Sequence, residues 1–397
     1  MAKIEVENLY KIFGPHPAKA LRLLREGRTK REIMEATGHG VGVNDASFSV
    51  EEGEIVVVMG LSGSGKSTLV RCINRLIEPT SGTVRIDGTD VTALAPDELR
   101  RLRLAKLGMV FQNFALFPHR TVVQNTEYGL EIQGVDPSAR RAKAMEALEL
   151  VGLKGWEDSH PKQLSGGMQQ RVGLARALAL DPDILLMDEA FSALDPLIRR
   201  DMQDELINLQ EQMQKTILFI SHDLDEALKL GQRIVLMKDG AIVQVGTPEE
   251  ILTSPADDYV ARFVEDVDIT KVLTAESVMK KAETVAYLGT DGPKAAMRKM
   301  RTSGISSIFA LDKTHHVAGI VTADDCAALI EAGGGELASI LRTDITTVTL
   351  DTPATELIAL IHDLPYPLAV IGGTGKLQGV IVRGTLLGAI AGRGLAQ

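Results

Sequence analysis

Cysteine is scarce in this chain: Cys72 and Cys326 are the two it has among 397 residues. Two thiols that far apart build neither a metal cluster nor a disulfide framework, so a small stapled secreted fold is excluded and a reducing cytoplasm is expected. Positive charge is not in excess either. Lys and Arg number 43 against 53 Asp and Glu, a formal net charge of -10, which leaves no bulk basic footprint for nucleic acid. The beginning, Met1-Ala2-Lys3-Ile4-Glu5-Val6-Glu7, lacks the apolar stretch of a signal peptide. The longest apolar runs, such as Ile55 to Met59 and Ile184 to Met187, are too short to span a bilayer, so any membrane association is expected to run through a partner. What is present is the balance of a folded chain, 45% hydrophobic and 24% charged, with length enough for two domains.

Through about residue 250, short apolar runs alternate with helical patterns, which reads as an α/β domain over residues 1–255. The runs Ile55 to Met59, Ile184 to Met187, Thr216 to Ile220 and Ile234 to Met237 read as strands, the first three buried on both faces. Residues 17–40 interrupt the start with six Lys/Arg against three Glu and read as two short helices, Thr29 capping the second with Glu32. The plain reading is a solvated surface insertion; the other is a docking or regulatory element. Beyond Pro255 an internal repeat appears: Pro293, Gly319-Ile320-Val321 and Ile330 recur sixty positions later as Pro353, Gly379-Val380-Ile381 and Ile390. Each copy reads helix, strand, strand, helix, and the two together form a compact module over residues 270–392.

Chemistry concentrates in the first domain. Gly60-Leu61-Ser62-Gly63-Ser64-Gly65-Lys66-Ser67-Thr68 follows a buried strand and opens a helix. Glycines let backbone N–H groups wrap a phosphate, and the helix N-terminus adds a favourable dipole. Lys66 is placed for the β- and γ-phosphates of a nucleotide and Ser67 for Mg²⁺. A second buried strand ends in Asp188-Glu189, at the edge where such sheets hold ligands. Asp188 suits the Mg²⁺ shell; Glu189 suits orienting or deprotonating a water.

Leu164-Ser165-Gly166-Gly167-Met168-Gln169-Gln170-Arg171 closely resembles the signature of ABC ATPases, over about residues 1–255. The resemblance implies a P-loop NTPase fold in which Ser165, Gly166 and Gly167 complete the ATP site of a second subunit, hence a homodimer or a related second chain. It implies a Q-loop glutamine at Gln112, contacting Mg²⁺ and coupling to the membrane domain. It also implies a D-loop ending at Asp195, a switch histidine at His222 positioning Glu189, and an adenine-stacking aromatic residue at Phe13.

Within that family the chain resembles the ATPase subunits of glycine betaine/proline-type osmoprotectant importers. The insertion, the stretch Ala115-Leu116-Phe117-Pro118-His119-Arg120-Thr121-Val122, and a C-terminal repeat resembling a small α/β tandem CBS pair carry the narrower likeness. It implies an integral permease and an extracytoplasmic solute-binding protein or receptor domain as partners, and a peripheral place on the cytoplasmic face of the inner membrane. ATPases of methionine, polyamine or sulfonate uptake remain as alternatives, and soluble ABC ATPases of ribosomes or DNA as a further class. CBS pairs often hold adenosyl compounds through a Thr/Ser and an Asp. The first copy offers Thr322 and Asp325, whereas the second, Val382-Arg383-Gly384-Thr385, has no aspartate there. Ionic strength, a regulatory nucleotide and plain dimerisation all stay open for the module. From Glu265 onward it carries 15 Asp/Glu and 12 Lys/Arg, with no long acidic tail to act on a membrane surface.

Overall fold

The computed structural model describes residues 2–391. Met1 and Gly392, the outer ends of the two expected domains, lie outside the described residues. The chain divides into two compact units, Met1–Asp266 and Val267–Gln397.

In the first unit, β1 (Ala2–Phe13), β2 (Gly40–Glu51), β4 (Ser81–Ile86) and β5 (Thr89–Asp90) form an antiparallel sheet in the order β2-β1-β4-β5. A second sheet runs β10-β9-β3-β8-β7-β6, built from β3 (Ile55–Met59), β6 (Leu107–Phe111), β7 (Ile184–Asp188), β8 (Thr216–Ser221), β9 (Arg233–Lys238) and β10 (Ala241–Gly246). Its pairs are parallel except β9–β10. β3, β7 and β8 are buried at every residue. That is the reason they carry continuous Val, Ile and Leu rather than an alternating pattern: both faces are covered. Val56, Val58, Leu186, Leu218 and Ile220 share one core with Ile4 and Val6 of the antiparallel sheet, so the two sheets are packed on common apolar ground. Parallel register sets the carboxyl ends of β3, β7 and β8 together, with Met59 opposite Ser221 and Asp188 opposite Ile220.

The insertion forms α1 (Ala18–Arg25) and α2 (Lys30–Thr37). Both arms of the Thr29–Glu32 capping box are present, each satisfying an N–H that the helix start leaves free. The element is more than a solvated loop. Ala20 and Ile33 are fully buried and Leu24 nearly so, packed with Tyr10, Ile12 and Val41. The unit also runs past the expected end at 255. Asp257 caps a further helix, Asp258–Phe263, whose Val260 is fully buried and whose Tyr259 lies under the Lys238 ammonium at 4.4 Å.

In the second unit each copy shows the helix–strand–strand–helix order, preceded by a short extra strand that the repeat pattern does not show. β12 (Ala286–Tyr287), β13 (Ser307–Leu311) and β14 (Val317–Thr322) make one sheet. The other runs β11-β17-β16-β15, from β11 (Lys280–Lys281), β15 (Thr347–Thr349), β16 (Leu368–Ile371) and β17 (Leu377–Ile381). The copies exchange chain. β11, which precedes the first copy, pairs with β17 of the second, and Arg342, which precedes the second, bridges Ile320 of the first. Phe309 and Ile320 of one copy and Ala369 of the other are buried in one cluster, so each sheet covers what its twin exposes.

Candidate active site

The loop after β3 folds into α3 (Lys66–Ile73) through Gly65, at φ 105°. Glycine is required here by contact as well as by φ: a Cβ at Gly65 would lie 2.3 Å from the Gly42 carbonyl oxygen, and one at Gly60 2.2 Å from that of Met237. The loop is therefore wedged between two strands of backbone, leaving its N–H groups and the start of α3 to face an anion. Lys66 folds back into this loop, its Nζ donating to the carbonyls of Gly60 at 2.7 Å and Leu61 at 3.1 Å. Burial pushes its ammonium below its ordinary pKa, while Glu189 and Asp188 favour the charge.

Ser67 Oγ donates to Asp188 Oδ1 at 2.9 Å, and Arg71 reaches Oδ2 at 3.2 Å. One turn of α3 thus meets the end of β7, the juxtaposition that parallel register prepares. Glu189 leaves that strand at φ 48°, a left-handed conformation a non-glycine residue adopts at a cost of roughly 1–3 kcal/mol. Its carboxylate is held from two sides: Gln112 Nε2 donates to Glu189 Oε2 at 3.1 Å and to Ser192 Oγ at 3.1 Å, while His222 Nδ1 lies 3.4 Å from the same carboxylate oxygen. Beneath the His222 loop, Glu226 is buried, accepting from Ser221 Oγ at 2.5 Å and Gln203 Nε2 at 3.1 Å. Burial raises its pKa, and these two bonds oppose the rise.

Not every expected residue joins this cluster. Ser165 caps the helix Gly166–Leu178, its Oγ accepting from Met168 N at 3.3 Å. Gly166 and Gly167 face Leu194, Phe114 and Ile198 rather than the phosphate loop. Ser165, Gly166 and Asp195 are exposed. Phe13 ends β1 with 43% of its surface exposed. Thr68 stands in the first turn of α3, its Cγ2 within 2.9 Å of where a Cβ on Gly42 would be. The pattern also gave no sign of Arg199, whose guanidinium donates to the carbonyls of Phe191, Ser192 and Leu194. Four positions past Asp195 on an amphipathic helix, it is one of several charged residues there and nothing in the spacing marks it out. In the second unit, Thr322 caps the helix Ala323–Glu331 and donates to Asp325 Oδ2 at 2.7 Å. Arg342 also holds that carboxylate, at 2.8 and 3.0 Å.

Among the described residues no group of three or more His, Cys, Asp and Glu side chains is arranged to hold a metal by itself. The hydroxyl and carboxylate of Ser67 and Asp188 fit Mg²⁺, which takes few protein ligands and fills its shell with phosphate oxygens and water. A phosphate loop, an acidic strand end and a separate capped helix carrying Ser-Gly-Gly define an ATPase of the ABC class. The ABC transporter family model matches residues 43–192, and the CBS domain model matches residues 275–332 and 337–392. A solved dimeric bacterial ABC transporter cassette superposes with a TM-score of 0.53 at 33% identity, over 62% of this chain and 98% of its own. The glycine betaine transport ATP-binding protein OpuAA of Bacillus subtilis (strain 168) is 58% identical, over 98% of this chain and 93% of the relative. The glycine betaine/carnitine transport ATP-binding protein GbuA of Listeria monocytogenes is 55% identical, over 99% and 98%. The glycine betaine/proline betaine ATP-binding protein ProV of Escherichia coli (strain K12) is 47% identical, over 99% and 98%. The chain belongs to the ATP-binding subunits of glycine betaine/proline-type ABC transporters that carry C-terminal CBS domains.

Proposed function

We propose that this chain hydrolyses ATP to drive import of glycine betaine/proline-type osmoprotectants through a separate integral permease. The observation that carries the reading is the gathering of Lys66, Ser67, Asp188, Glu189, Gln112 and His222 at one sheet edge, in a chain 58% identical to a glycine betaine transport ATP-binding protein. Lys66 and the N–H groups of the loop bind the phosphates, with Gly60, Gly63 and Gly65 giving the backbone its path and Phe13 stacking on adenine. Ser67 and Asp188, with Gln112, hold Mg²⁺, which when bound neutralises phosphate charge. Glu189 takes the proton of the attacking water. His222 and Gln112, both on its Oε2, fix where that carboxylate points.

Gly166 and Gly167 pack on Leu194, Phe114 and Ile198 rather than on this cluster, Ser165 and Gly166 are exposed, and the three residues serve the phosphate loop of a second copy; Asp195 is exposed as well. Solved relatives are described as dimeric cassettes. No helix among the described residues is long and apolar enough to cross a membrane. In this reading the chain attaches through the permease on its cytoplasmic face, and solute selection belongs to an extracytoplasmic binding protein or receptor domain. In the CBS module, Thr322 and Asp325 form the site for a regulatory adenosyl ligand, which competes with Arg342 for the carboxylate.

The test is uptake by proteoliposomes holding the assembled transporter. Labelled glycine betaine should accumulate only with internal ATP, and proline or carnitine should compete. Glu189→Gln should lower turnover about 10²–10⁴-fold while keeping ATP binding, the loss of a positioned base. ATP-driven uptake of methionine or a polyamine, with none of betaine, overturns the substrate assignment. Ordinary turnover in the Glu189 variant overturns the site.

A further inference from the structure

The insertion contributes none of the family's motifs, yet its second helix stands beside the nucleotide site. With Ile33 of α2 fully buried, Lys30 and Met34, four positions apart, share a neighbouring face. Lys30 lies against the turn after β9: its Cε and Nζ are 3.0 and 3.1 Å from where a Cβ on Gly240 would stand. Gly240 in turn donates its N–H to the Ser64 carbonyl of the phosphate loop at 2.8 Å. Burial lowers the Lys30 pKa and Asp239 favours its charge, so the side chain is both covered and paired in sign. α2 is thereby docked on the turn that backs the phosphate loop.

Met34 is 50% exposed and Phe13 43%. The Met34 Cε and the Phe13 Cβ lie 3.8 and 4.0 Å from one point, the place a Cβ on Gly40 would take. The Phe13 ring edge and the Thr68 methyl crowd a second such point, at Gly42, at 2.7 and 2.9 Å. The Lys11 ammonium lies 5.1 Å from the Phe13 ring centroid. Met34, Phe13 and Thr68 therefore edge one apolar surface that begins on the inserted helix and ends on the first turn of α3, and two side-chain-free residues of β2 make room for it. A polarizable thioether on the same surface as an aromatic side chain is well suited to a flat heterocycle.

We propose that Met34, carried by the insertion and set in place by Lys30, is a second recognition residue for the adenine base beside Phe13. The inference rests on the ATP-site reading above and assigns the insertion a part in nucleotide affinity.

The full chain is titrated by calorimetry with MgATP and with Mg-tripolyphosphate, which has the phosphates but neither ribose nor base. Met34→Asp should weaken ATP by about fivefold to tenfold, the scale of one thioether–ring contact, and leave tripolyphosphate unchanged. Met34→Leu should stay within about twofold of the parent. Phe13→Ala is measured alongside. If Phe13→Ala weakens ATP and Met34→Asp does not, the base site stands and this inference falls. If neither weakens ATP, the Phe13 assignment falls with it. Equal loss of both ligands in Met34→Asp also overturns the proposal, because the effect then lies on the phosphate loop.

Discussion

The Arg199 guanidinium donates to the Asp223 carboxylate at 3.2 Å, and that bond joins the two loops flanking Glu189. On one side Arg199 holds the carbonyls of Phe191, Ser192 and Leu194 at 3.2–3.3 Å, the segment leading into Asp195. On the other, Asp223 follows His222 and accepts from Glu226 N at 3.3 Å at the head of the next helix. Glu189 and His222 are thus braced through a single side chain that touches neither.

Arg199 is accordingly a positioning residue. Arg199→Ala should cut kcat roughly tenfold, about 1.4 kcal/mol of transition-state stabilisation, with little change in KM for ATP. Arg199→Lys should recover only part, since an ammonium cannot span the forked set of acceptors that a guanidinium serves. Steady-state turnover with parallel ATP titration checks this. A rise in KM with kcat intact would show that the brace acts on binding instead.

The local parts of this site are legible in the sequence because their spacing is dictated by covalent geometry. A strand, a glycine turn and a helix start must follow one another for Lys66 and Ser67 to face one anion. Asp188 and Glu189 likewise show themselves by ending an apolar run. Residues that act across the fold are not legible in this way. Arg199 looks like any charged residue of an amphipathic helix until its acceptors are placed around it. β11 is two lysines with no alternation to mark a strand, and only its pairing with β17 makes it one. The ATPase unit extends to Asp266 because Val260 finds a buried seat, which Pro255 and the acidic pair after it do not announce.

Asp325 offers a pH test. Its bonds from Arg342 first, and Thr322 second, hold its carboxyl below the ordinary value of 3.8. A carboxylate whose pKa falls on folding stabilises the folded state above its unfolded pKa, and that contribution is lost as pH drops through the folded value. Arg342 is half exposed, so solvent screening keeps the contribution of the pair small. Arg342→Gln should lower the melting temperature of the CBS unit slightly and equally from about pH 5 to 8, and the gap to the parent should close below 3.8. Scanning calorimetry of the full chain across pH reads this out. A gap that persists in acid would assign the effect to packing.

Gly319 and Gly379 are the same position in the two repeat copies, and both are crossed by chain from the other copy. A Cβ on Gly319 would lie 2.5 Å from the Arg342 carbonyl oxygen; one on Gly379 would lie 2.8 Å from that of Lys280 and 2.6 Å from Met279 Sδ. The repeated glycine is therefore the condition for the exchange of strands. Alanine at either position should destabilise the CBS unit by about 1–3 kcal/mol, as overpacking does, while ATP turnover by the first unit stays near the parent value. Unchanged melting in both variants would mean that the crossing segments shift freely.

The last expectation concerns how two copies share the work. Ser165 and Gly166 are exposed at the start of a 13-residue helix, and the donors of that helix end are not spent on their own chain's phosphate loop. A second copy's ATP is the anion proposed for them. A heterodimer pairing a Ser165→Arg chain with a Lys66→Ala chain then concentrates both defects in one composite site and leaves the other intact. Either homodimer has two damaged sites. If one intact site turns over alone, the mixed dimer should retain about half of the parent rate, well above both homodimers, because each site draws its barrier-lowering groups from its own pair of elements. The measurement needs purified heterodimer, obtained with two affinity tags, and ATP turnover per dimer. Were the signature to serve its own chain's loop, each site of the mixed dimer would carry one defect and turnover would fall to the level of the homodimers. To separate that outcome from strict coupling between two sites, paired cysteines at Ser165 and Ser62 in the Glu189→Gln background are crosslinked with ATP present. Linkage between chains supports the shared site, and linkage within one chain removes it.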